Sequence, residues 1–250
     1  SYKVKQEVTM ADLLGRADHV RQLGIDVTRH QMQRNGIQIV AAEASFLDPH
    51  RISLAPCAGG PASEVTAANV VIAVGTTTTR DPDIAFDGEH IFTSDDILDL
   101  HDLPKSLTVI GAGVIGIEYA TIFATLGVRV TVVDKRLRVL PFVDEEIIDN
   151  LVHLMRQERV TLRLGEEVSG IEVVDGEQGQ KVHISLKSGK HIHSETVLYS
   201  IGRTGATAGL NLDAAGVSAD NRGRITVNAG YQTEVDHIYA VGDVIGFPAL

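Results

Sequence analysis

The chain has 250 residues, of which 44% are apolar and 22% charged, and its formal net charge at pH 7 is -11. This length allows one large or two ordinary domains of a globular protein. The negative charge argues against a general nucleic-acid or membrane surface, because phosphate backbones and anionic lipids repel it. Cys57 is the single cysteine, so an internal disulfide, a Cys-x-x-Cys pair and a thiolate metal cage are excluded within the chain. We therefore expect a soluble, unexported, cytoplasmic protein.

The first hundred residues alternate between helical and extended patterns. Apolar residues at helical spacing predict a helix that starts after Thr9 and ends near Gln33. Three short alternating strands are predicted next, at 37–41, 44–47 and 51–54. An apolar run at 70–74 ends at Gly75, which predicts a buried strand leading into a polar loop of threonines. Pro104 marks the first domain boundary.

The segment 107–118 joins a short apolar strand to Gly-x-Gly-x-x-Gly at the start of a helix. In such a turn Gly111 permits the tight bend, Gly113 lets the backbone approach a phosphate, and Gly116 lets the helix lie close to its strand. The N–H groups of the first helical turn, with the positive end of the helix dipole, then bind the negative charge. The sequence thus predicts a dinucleotide pyrophosphate site formed by Gly111, Ala112, Gly113, Val114, Ile115 and Gly116. The alternative is a glycine-rich turn that binds no ligand.

The next predicted strand, 128–133, ends on Asp134, about twenty residues beyond the glycine turn, where an acid can bind the adenosine ribose hydroxyls. Lys135 and Arg136 follow directly. An acid favours the free 2′-hydroxyl of NAD, whereas a nearby arginine can accommodate the 2′-phosphate of NADP. Together these residues are what a site serving both nucleotides needs. The alternative is an acid at a strand end followed by an ordinary solvated basic loop.

The second half of the chain continues the alternation of strands and helices. Beyond Asp134 the pattern predicts a helix at 144–157 and strands at 161–164, 168–174, 181–186, 191–193 and 196–200. This order predicts an α/β, Rossmann-type fold in which a parallel sheet carries an antiparallel insert. A last strand, 238–242, delivers Asp243 at its carboxyl end, the edge at which open α/β sheets bind ligands. The alternative for Asp243 is a loop acid that merely ends a strand.

Several groups that could look catalytic receive structural interpretations. The carboxylates 144–146 fall at a helix start, where negative charge offsets the helix dipole. His191 and His193 lie on one face of a predicted strand and could bind a metal only with ligands from elsewhere. Cys57 lies in a glycine- and proline-rich loop with no partner to activate it. We therefore predict no metal site and no catalytic general base or nucleophile.

Four motifs make the chain resemble the FAD-dependent pyridine nucleotide-disulfide oxidoreductases, a family that includes dihydrolipoamide dehydrogenase, glutathione reductase and soluble pyridine nucleotide transhydrogenase. The motifs are 70–75, 111–118, 200–203, and Thr233 with 239–243. The resemblance covers nearly the whole chain. It implies cofactor contacts from Val74, Gly75, Thr76, Glu118, Val168, Gly202, Arg203, Gly242 and Asp243. In this family the Asp243 equivalent binds the ribityl chain of FAD, the Glu118 equivalent lies near the nicotinamide, and backbone near Val168 touches the adenosine half.

Two details resemble the transhydrogenase branch of the family. The segment 202–207 departs from the Arg-x-Pro-Asn that dihydrolipoamide dehydrogenases usually show, whereas 231–233 and 242–248 look like the transhydrogenase version. The resemblance implies an NAD(P)+ transhydrogenase of the Si-specific type that uses FAD to move a hydride between NADPH and NAD. One alternative is an NAD-dependent disulfide reductase such as dihydrolipoamide dehydrogenase. Another is a dinucleotide-binding module without catalytic activity.

The resemblance also implies a domain plan. Residues 1–104 would be the C-terminal part of an FAD-binding domain, 105–228 the NAD(P)-binding domain, and 229–250 the return to the FAD-binding domain. The first flavin glycine motif and any redox cysteine pair would precede Ser1, and the dimer-forming interface domain would follow Leu250. We therefore expect a fragment that binds flavin poorly, cut from a protein that forms homodimers.

Overall fold

A computed structural model of the chain describes residues 10–176 and 179–246. It divides the chain into two compact units. The first unit contains the described residues up to Leu23 together with Thr78–Gly202, and the second contains Gly24–Thr77 together with the described residues from Arg203 onward. The predicted helix cap at Thr9 and the last part of the segment 242–248, residues 247–248, lie outside the described residues.

The described elements are three α-helices and fifteen short strands. The helices are α1 Met10–Arg34, α2 Val114–Thr125 and α3 Glu145–Gln157. The strands are β1 Ala42–Phe46, β2 Arg51–Pro56, β3 Ser63–Thr66, β4 Val70–Ile72, β5 Thr76–Thr78, β6 Ile91–Thr93, β7 Ser106–Ile110, β8 Arg129–Asp134, β9 Thr161–Leu164, β10 Val168–Gly176, β11 Gly179–Leu186, β12 His191–Ser194, β13 Thr196–Tyr199, β14 Arg203–Gly205 and β15 Ile238–Ala240. Short 3₁₀ helices occupy Ile97–Asp99, Leu212–Ala215 and Gly242–Ile245.

The first unit is built on a five-stranded sheet with the order β6-β13-β7-β8-β9, in which every described pairing is parallel. Residues with odd and even positions in these strands face opposite sides, so each strand contributes to two cores. One core lies under α2 and α3 and includes Leu107, Val109, Val130, Val132, Phe123 and Met155. The other lies against the antiparallel sheet β10-β11-β12 and includes Ile110, Val133, Val197, Val182 and Ile184. The predicted parallel sheet with an antiparallel insert is confirmed.

The register of β7 and β8 places their carboxyl ends level with each other. Ile110 lies opposite Val133, so the glycine turn after β7 and Asp134 at the end of β8 emerge side by side. The backbone N–H of Gly111 also donates to the carbonyl of Val133 at 2.8 Å. This register is what positions the candidate site described below.

The second unit contains a smaller parallel pair and an antiparallel sheet. Strand β4 pairs with β15, and β1-β2-β3 form a three-stranded meander. The core of this unit combines Phe46 of β1 and Ile72 of β4 with residues of the segment 203–246. These residues are Leu212, Ala215, Ile225, Ile238 and Val244. Thus segments far apart in the sequence share one core, which explains why the unit is discontinuous.

The two compact units differ in extent from the predicted domains. The units divide after Leu23, Thr77 and Gly202, whereas the predicted domains end at 104 and 228. The reason is strand pairing at one end and core packing at the other. Strand β6 pairs with β13 at the edge of the large sheet, and the residues around Leu212 pack with Ile238.

Two strand predictions also differ from the structure. The predicted strand at 37–41 is irregular, and its apolar side chains Ile37, Ile39 and Val40 are more than half exposed. Strand β3, which the sequence did not predict, is exposed along its whole length and is defined by its pairing with β2. Among the described residues, no helix combines the length and the apolar character needed to cross a membrane.

Candidate dinucleotide site

The glycine turn is a close contact between three backbone segments. A Cβ on Gly111, whose φ is +110°, would lie 2.5 Å from the carbonyl oxygen of Ser200, and a Cβ on Gly116 would lie 1.9 Å from that of Gly111. Ser200 also donates its hydroxyl to the carbonyl oxygen of Ile110 at 3.0 Å. Side chains at 111 and 116 are therefore excluded by the protein itself, as the motif predicted. The support from Ser200 was not predicted, because the motif 200–203 contains this residue but does not show what its hydroxyl contacts.

Gly113 differs from the other two glycines. A Cβ built on it meets no atom within 4 Å among the described residues, so its missing side chain leaves open space beside the backbone. Gly113 is the N-cap of α2, and its carbonyl accepts the first intrahelical hydrogen bond, from Ile117, at 2.9 Å. The N–H groups of residues 114–116 precede that bond and face the end of the helix. This arrangement fits a bound diphosphate, which needs close backbone approach and unshared N–H donors.

Asp134 is connected directly to the glycine turn. Its Oδ2 accepts the backbone N–H of Ala112 at 2.6 Å, and its Oδ1 accepts the backbone N–H of Arg136 at 2.7 Å. The guanidinium of Arg136 completes the set, with Nε 2.9 Å from Oδ1 and Nη2 2.5 Å from Oδ2. The side chain of Asp134 is 5% exposed and that of Arg136 43%. Arg136 thus covers the acid that was predicted to bind ribose.

These contacts decide the charge of the pair. Burial alone raises the pKa of the Asp134 carboxyl, but the hydrogen bonds from Arg136 and from the Ala112 backbone outweigh it, so the pKa lies below its ordinary value. The hydrogen bond to Asp134 likewise raises the pKa of the Arg136 guanidinium. Both groups are charged at neutral pH, and together they present no net charge.

The loop between β9 and β10 approaches the same edge. Gly165 donates its N–H to the carbonyl of Arg136 at 3.0 Å, and Glu166 donates to that of Asp134 at 3.1 Å. Val168, at the start of β10, follows this loop and packs against the core beneath the antiparallel sheet. Glu118 lies exposed on α2, and Lys135 is exposed beside Asp134. The structure therefore gathers the predicted pyrophosphate, ribose and adenosine residues at one edge of the large sheet.

A second group of predicted residues lies in the second unit. Strands β4 and β15 run parallel, and the N–H of Val241 donates to the carbonyl of Ile72 at 3.0 Å, so the segments after both strands leave from the same edge. Val74 and Gly75 follow β4, and Gly242 and Asp243 follow β15. Gly75 and Gly242 have φ values of +66° and +76°, and a Cβ on either meets nothing within 4 Å among the described residues. Asp243 is exposed. An open glycine-flanked edge with an acid fits the polar chain of a flavin cofactor.

Arg203 and Gly202, next to the point where the chain passes from one unit to the other, are hydrogen-bonded to Thr76 and Thr79. Arg203 donates Nε to the hydroxyl of Thr76 and Nη2 to its carbonyl, both at 2.8 Å. The carbonyl of Gly202 accepts the N–H of Thr79 at 3.0 Å. Thr76 and Arg203 were both predicted as cofactor contacts, and they are hydrogen-bonded to each other. We find structural roles for both.

Two groups that the sequence analysis interpreted as structural are the acids at 144–146 and the histidines at 191 and 193. Asp144 caps α3, since its Oδ1 accepts the N–H of Glu146 at 3.0 Å, which confirms the helix-start prediction. His191 and His193 lie beside His183, whose Nε2 is 3.0 Å from Nδ1 of His191 and whose ring stacks on His193. No arrangement of three or more side chains suited to a metal ion occurs among the described residues.

The chain belongs to the pyridine nucleotide-disulphide oxidoreductase family, whose model matches residues 1–250. Similar proteins include the soluble pyridine nucleotide transhydrogenase of Mycobacterium tuberculosis, 48% identical over 100% of this chain and 53% of the relative. The soluble pyridine nucleotide transhydrogenase of Colwellia psychrerythraea is 43% identical over 99% of this chain and 52% of its own length. The chain spans about half the length of the curated relatives it matches.

Solved structures of related proteins share the fold. LpdA from Mycobacterium tuberculosis aligns with a TM-score of 0.89 at 27% identity, over 98% of this chain and 54% of LpdA. The HOCl-induced flavoprotein disulfide reductase RclA from Escherichia coli aligns with a TM-score of 0.87 at 25% identity, over 98% of this chain and 55% of RclA. The fold is thus that of an α/β flavoprotein oxidoreductase with a parallel sheet.

Proposed function

We propose that the complete protein is a pyridine nucleotide transhydrogenase that moves a hydride between NADPH and NAD with the help of FAD. The observation that carries the proposal is the edge formed by the glycine turn, Asp134 and Arg136. It supplies donors for a pyrophosphate together with an acid suited to the ribose of NAD and a cation suited to the phosphate of NADP. The transhydrogenases that share 43% and 48% identity with the chain support it further.

The two units divide the binding. In this proposal the first unit holds NAD(P), and the second unit is part of the FAD-binding domain, where Gly75, Thr76, Gly242 and Asp243 would hold the flavin. Bound FAD supplies the chemistry by accepting a hydride from one nicotinamide nucleotide and giving it to another. The chain itself needs no general base or nucleophile, because its task is to bind and orient.

Each residue of the first unit receives one task. The N–H groups of 114–116 bind the pyrophosphate. Asp134 accepts hydrogen bonds from the adenosine ribose, whereas Lys135 and Arg136 attract a 2′-phosphate. Backbone near Val168 borders the adenosine half, and Glu118 lies toward the nicotinamide.

Hydride exchange in the complete, FAD-loaded gene product tests the proposal. NADPH is the donor and thio-NAD+ the acceptor, so that reduction of the acceptor is followed at its own wavelength. The same assay is repeated after thiols are alkylated with N-ethylmaleimide. We expect exchange before and after alkylation, because hydride transfer through flavin alone requires no thiol. Absence of exchange before alkylation would contradict the proposal.

A second candidate is a disulfide reductase, favoured by the fold shared with RclA, a flavoprotein disulfide reductase at 25% identity. Such an enzyme needs a redox cysteine pair, and this chain holds Cys57 alone. A pair would therefore come from outside these 250 residues. Reduction of a disulfide such as lipoamide, abolished by alkylation of the reduced enzyme, would favour this candidate.

We also propose the Si-specific stereochemistry of hydride transfer. NADPH deuterated at the pro-S position of C4 should yield unlabelled NADP+, whereas NADPH deuterated at pro-R should yield labelled NADP+. Mass spectrometry of the product distinguishes the two, and the reverse pattern would contradict the assignment.

The cellular setting is a proposal of the same kind. We propose that the complete protein is a cytoplasmic homodimer, as the family resemblance implies. Sedimentation of the complete gene product measures its oligomeric state, and a monomer at micromolar concentration would contradict the homodimer.

A further inference from the structure

The carboxylate of Asp134 is already saturated with hydrogen bonds. Each of its two oxygens accepts two N–H groups, from Ala112 and from the backbone and guanidinium of Arg136. A carboxylate offers about four acceptor positions. A ribose hydroxyl that donates to Asp134 must therefore replace at least one of these donors.

The guanidinium is the donor that can leave. The N–H of Ala112 belongs to the glycine turn, which is fixed by the bond from Gly111 to Val133. The backbone of Arg136 is fixed through its carbonyl, which accepts the N–H of Gly165. The guanidinium instead ends a flexible side chain that is 43% exposed, whereas the carboxylate is 5% exposed, so water can solvate the guanidinium when it leaves.

NAD and NADP differ in what they require of the ion pair between Asp134 and Arg136. The 2′-hydroxyl of NAD needs the acceptor positions that the guanidinium occupies. The 2′-phosphate of NADP has no such need and would be repelled by a bare carboxylate. With the pair intact, Asp134 is neutralised, and the guanidinium keeps three of its five N–H donors for the phosphate.

We propose that Arg136 determines specificity by competing with the ribose of NAD for Asp134, so that NAD binds only when the guanidinium leaves and NADP binds with the ion pair intact. This inference rests on the proposed function, in which one site serves both nucleotides. It goes beyond that function because Arg136 weakens the binding of NAD and strengthens the binding of NADP.

Arg136→Ala in the complete, FAD-loaded protein tests the competition. Dissociation constants of NAD+ and NADP+ are measured by isothermal titration calorimetry, since neither oxidised nucleotide reacts with oxidised flavin. We expect NAD+ to bind about three- to tenfold more tightly, because the donor that competes with its ribose is gone, and NADP+ at least about tenfold more weakly, because a charge-assisted hydrogen bond to the phosphate is lost. Arg136→Gln should behave in the same way, which guards against a folding defect of the alanine variant.

Two controls isolate the cause. Arg138→Ala removes the same charge from the same loop, but its guanidinium pairs with Glu145 at 2.9 Å, so we expect both constants to change equally and by less than about twofold. In the double variant Asp134→Ala/Arg136→Ala the gain for NAD+ should disappear, because the competitor matters only while the acid is present.

Each other outcome overturns the inference. Unchanged or weaker NAD+ binding in both Arg136 variants would show that the guanidinium does not compete with ribose. Unchanged NADP+ binding would show that it does not contact the phosphate. Failure of the proposed function is a separate result, since it is seen as absent hydride exchange in the unaltered protein, whereas these constants measure binding alone.

Discussion

Residue by residue, the glycine turn combines two kinds of requirement that a sequence motif cannot separate. At Gly116 a Cβ would lie 1.9 Å from a backbone carbonyl oxygen, so the fold itself excludes a side chain. At Gly113 a Cβ would meet nothing within 4 Å among the described residues, so the fold tolerates one. In the proposed function, what excludes a side chain at Gly113 is the diphosphate that the N–H groups of the helix start would bind.

Alanine at each glycine therefore should give different defects. We expect Gly116→Ala to destabilise the protein by about 1–3 kcal/mol, as overpacking does, and to lower the midpoint of thermal unfolding. Gly113→Ala should change stability by less than about 1 kcal/mol, the scale of an N-cap change. It should nevertheless weaken NADP+ by about tenfold or more, because a methyl group holds the pyrophosphate off the backbone. Similar unfolding midpoints for the two variants would contradict this distinction.

At the scale of elements, α3 begins where its cap dictates. Asp144 accepts the N–H of Glu146, and the acids that follow lie in the first turn, where negative charge is favourable. The alternative role for these carboxylates is catalysis. Capping predicts that their removal lowers stability, whereas catalysis predicts that it lowers activity.

We expect Asp144→Ala to cost about 1 kcal/mol of stability through loss of the cap, and Asp144→Asn or Asp144→Ser to restore most of it. Hydride exchange should stay within about twofold of the unaltered protein, since a helix cap acts on stability rather than on transfer. Thermal unfolding and the exchange assay measure the two quantities. A large loss of exchange with unchanged stability would assign the acid to catalysis.

Elements with strong local signals were predictable, and those defined by pairing were not. Strand β9 occupies the predicted range 161–164, and α3 starts at the predicted acids, because spacing and caps are local signals. Strand β3 gave no signal, since its residues are all exposed and only β2 defines it. Strand β6 is three buried residues at a sheet edge, too short to show a period.

The candidate site was predictable in its positions but not in its contacts. The glycine motif and the acid at the end of the next strand follow from spacing, and the structure places them side by side. The hydrogen bonds of Arg136 to Asp134 depend on a side-chain conformation that no sequence pattern encodes. The same holds for the hydroxyl of Ser200, which follows β13 and reaches the turn from ninety positions further along the chain.

For the whole molecule, the division into two units predicts two separable binding functions. Gly113 and Asp134 belong to the first unit, whereas Gly75 and Asp243 belong to the second. If the second unit holds flavin and the first holds NAD(P), a change in one should leave the other's ligand bound.

We expect Asp243→Asn in the complete protein to weaken FAD by about tenfold or more, the scale of a lost hydrogen bond to a charged group, while NADP+ affinity stays within about twofold. Gly113→Ala should show the converse, with full flavin absorbance and weak NADP+. Asp236→Asn is the matched control, because this exposed acid precedes β15 at the opposite end of the strand. Equal loss of both ligands in the Asp243 variant would contradict the division.

We propose that the glycine turn and the edge at Asp134 form the nicotinamide nucleotide site. A crystal structure of the complete protein with NADP+ measures this most directly. We expect a pyrophosphate on the N–H groups of 114–116, with the 2′-phosphate beside Arg136 and the Asp134 ion pair intact. A nucleotide ordered elsewhere, with no density at this edge, would contradict it.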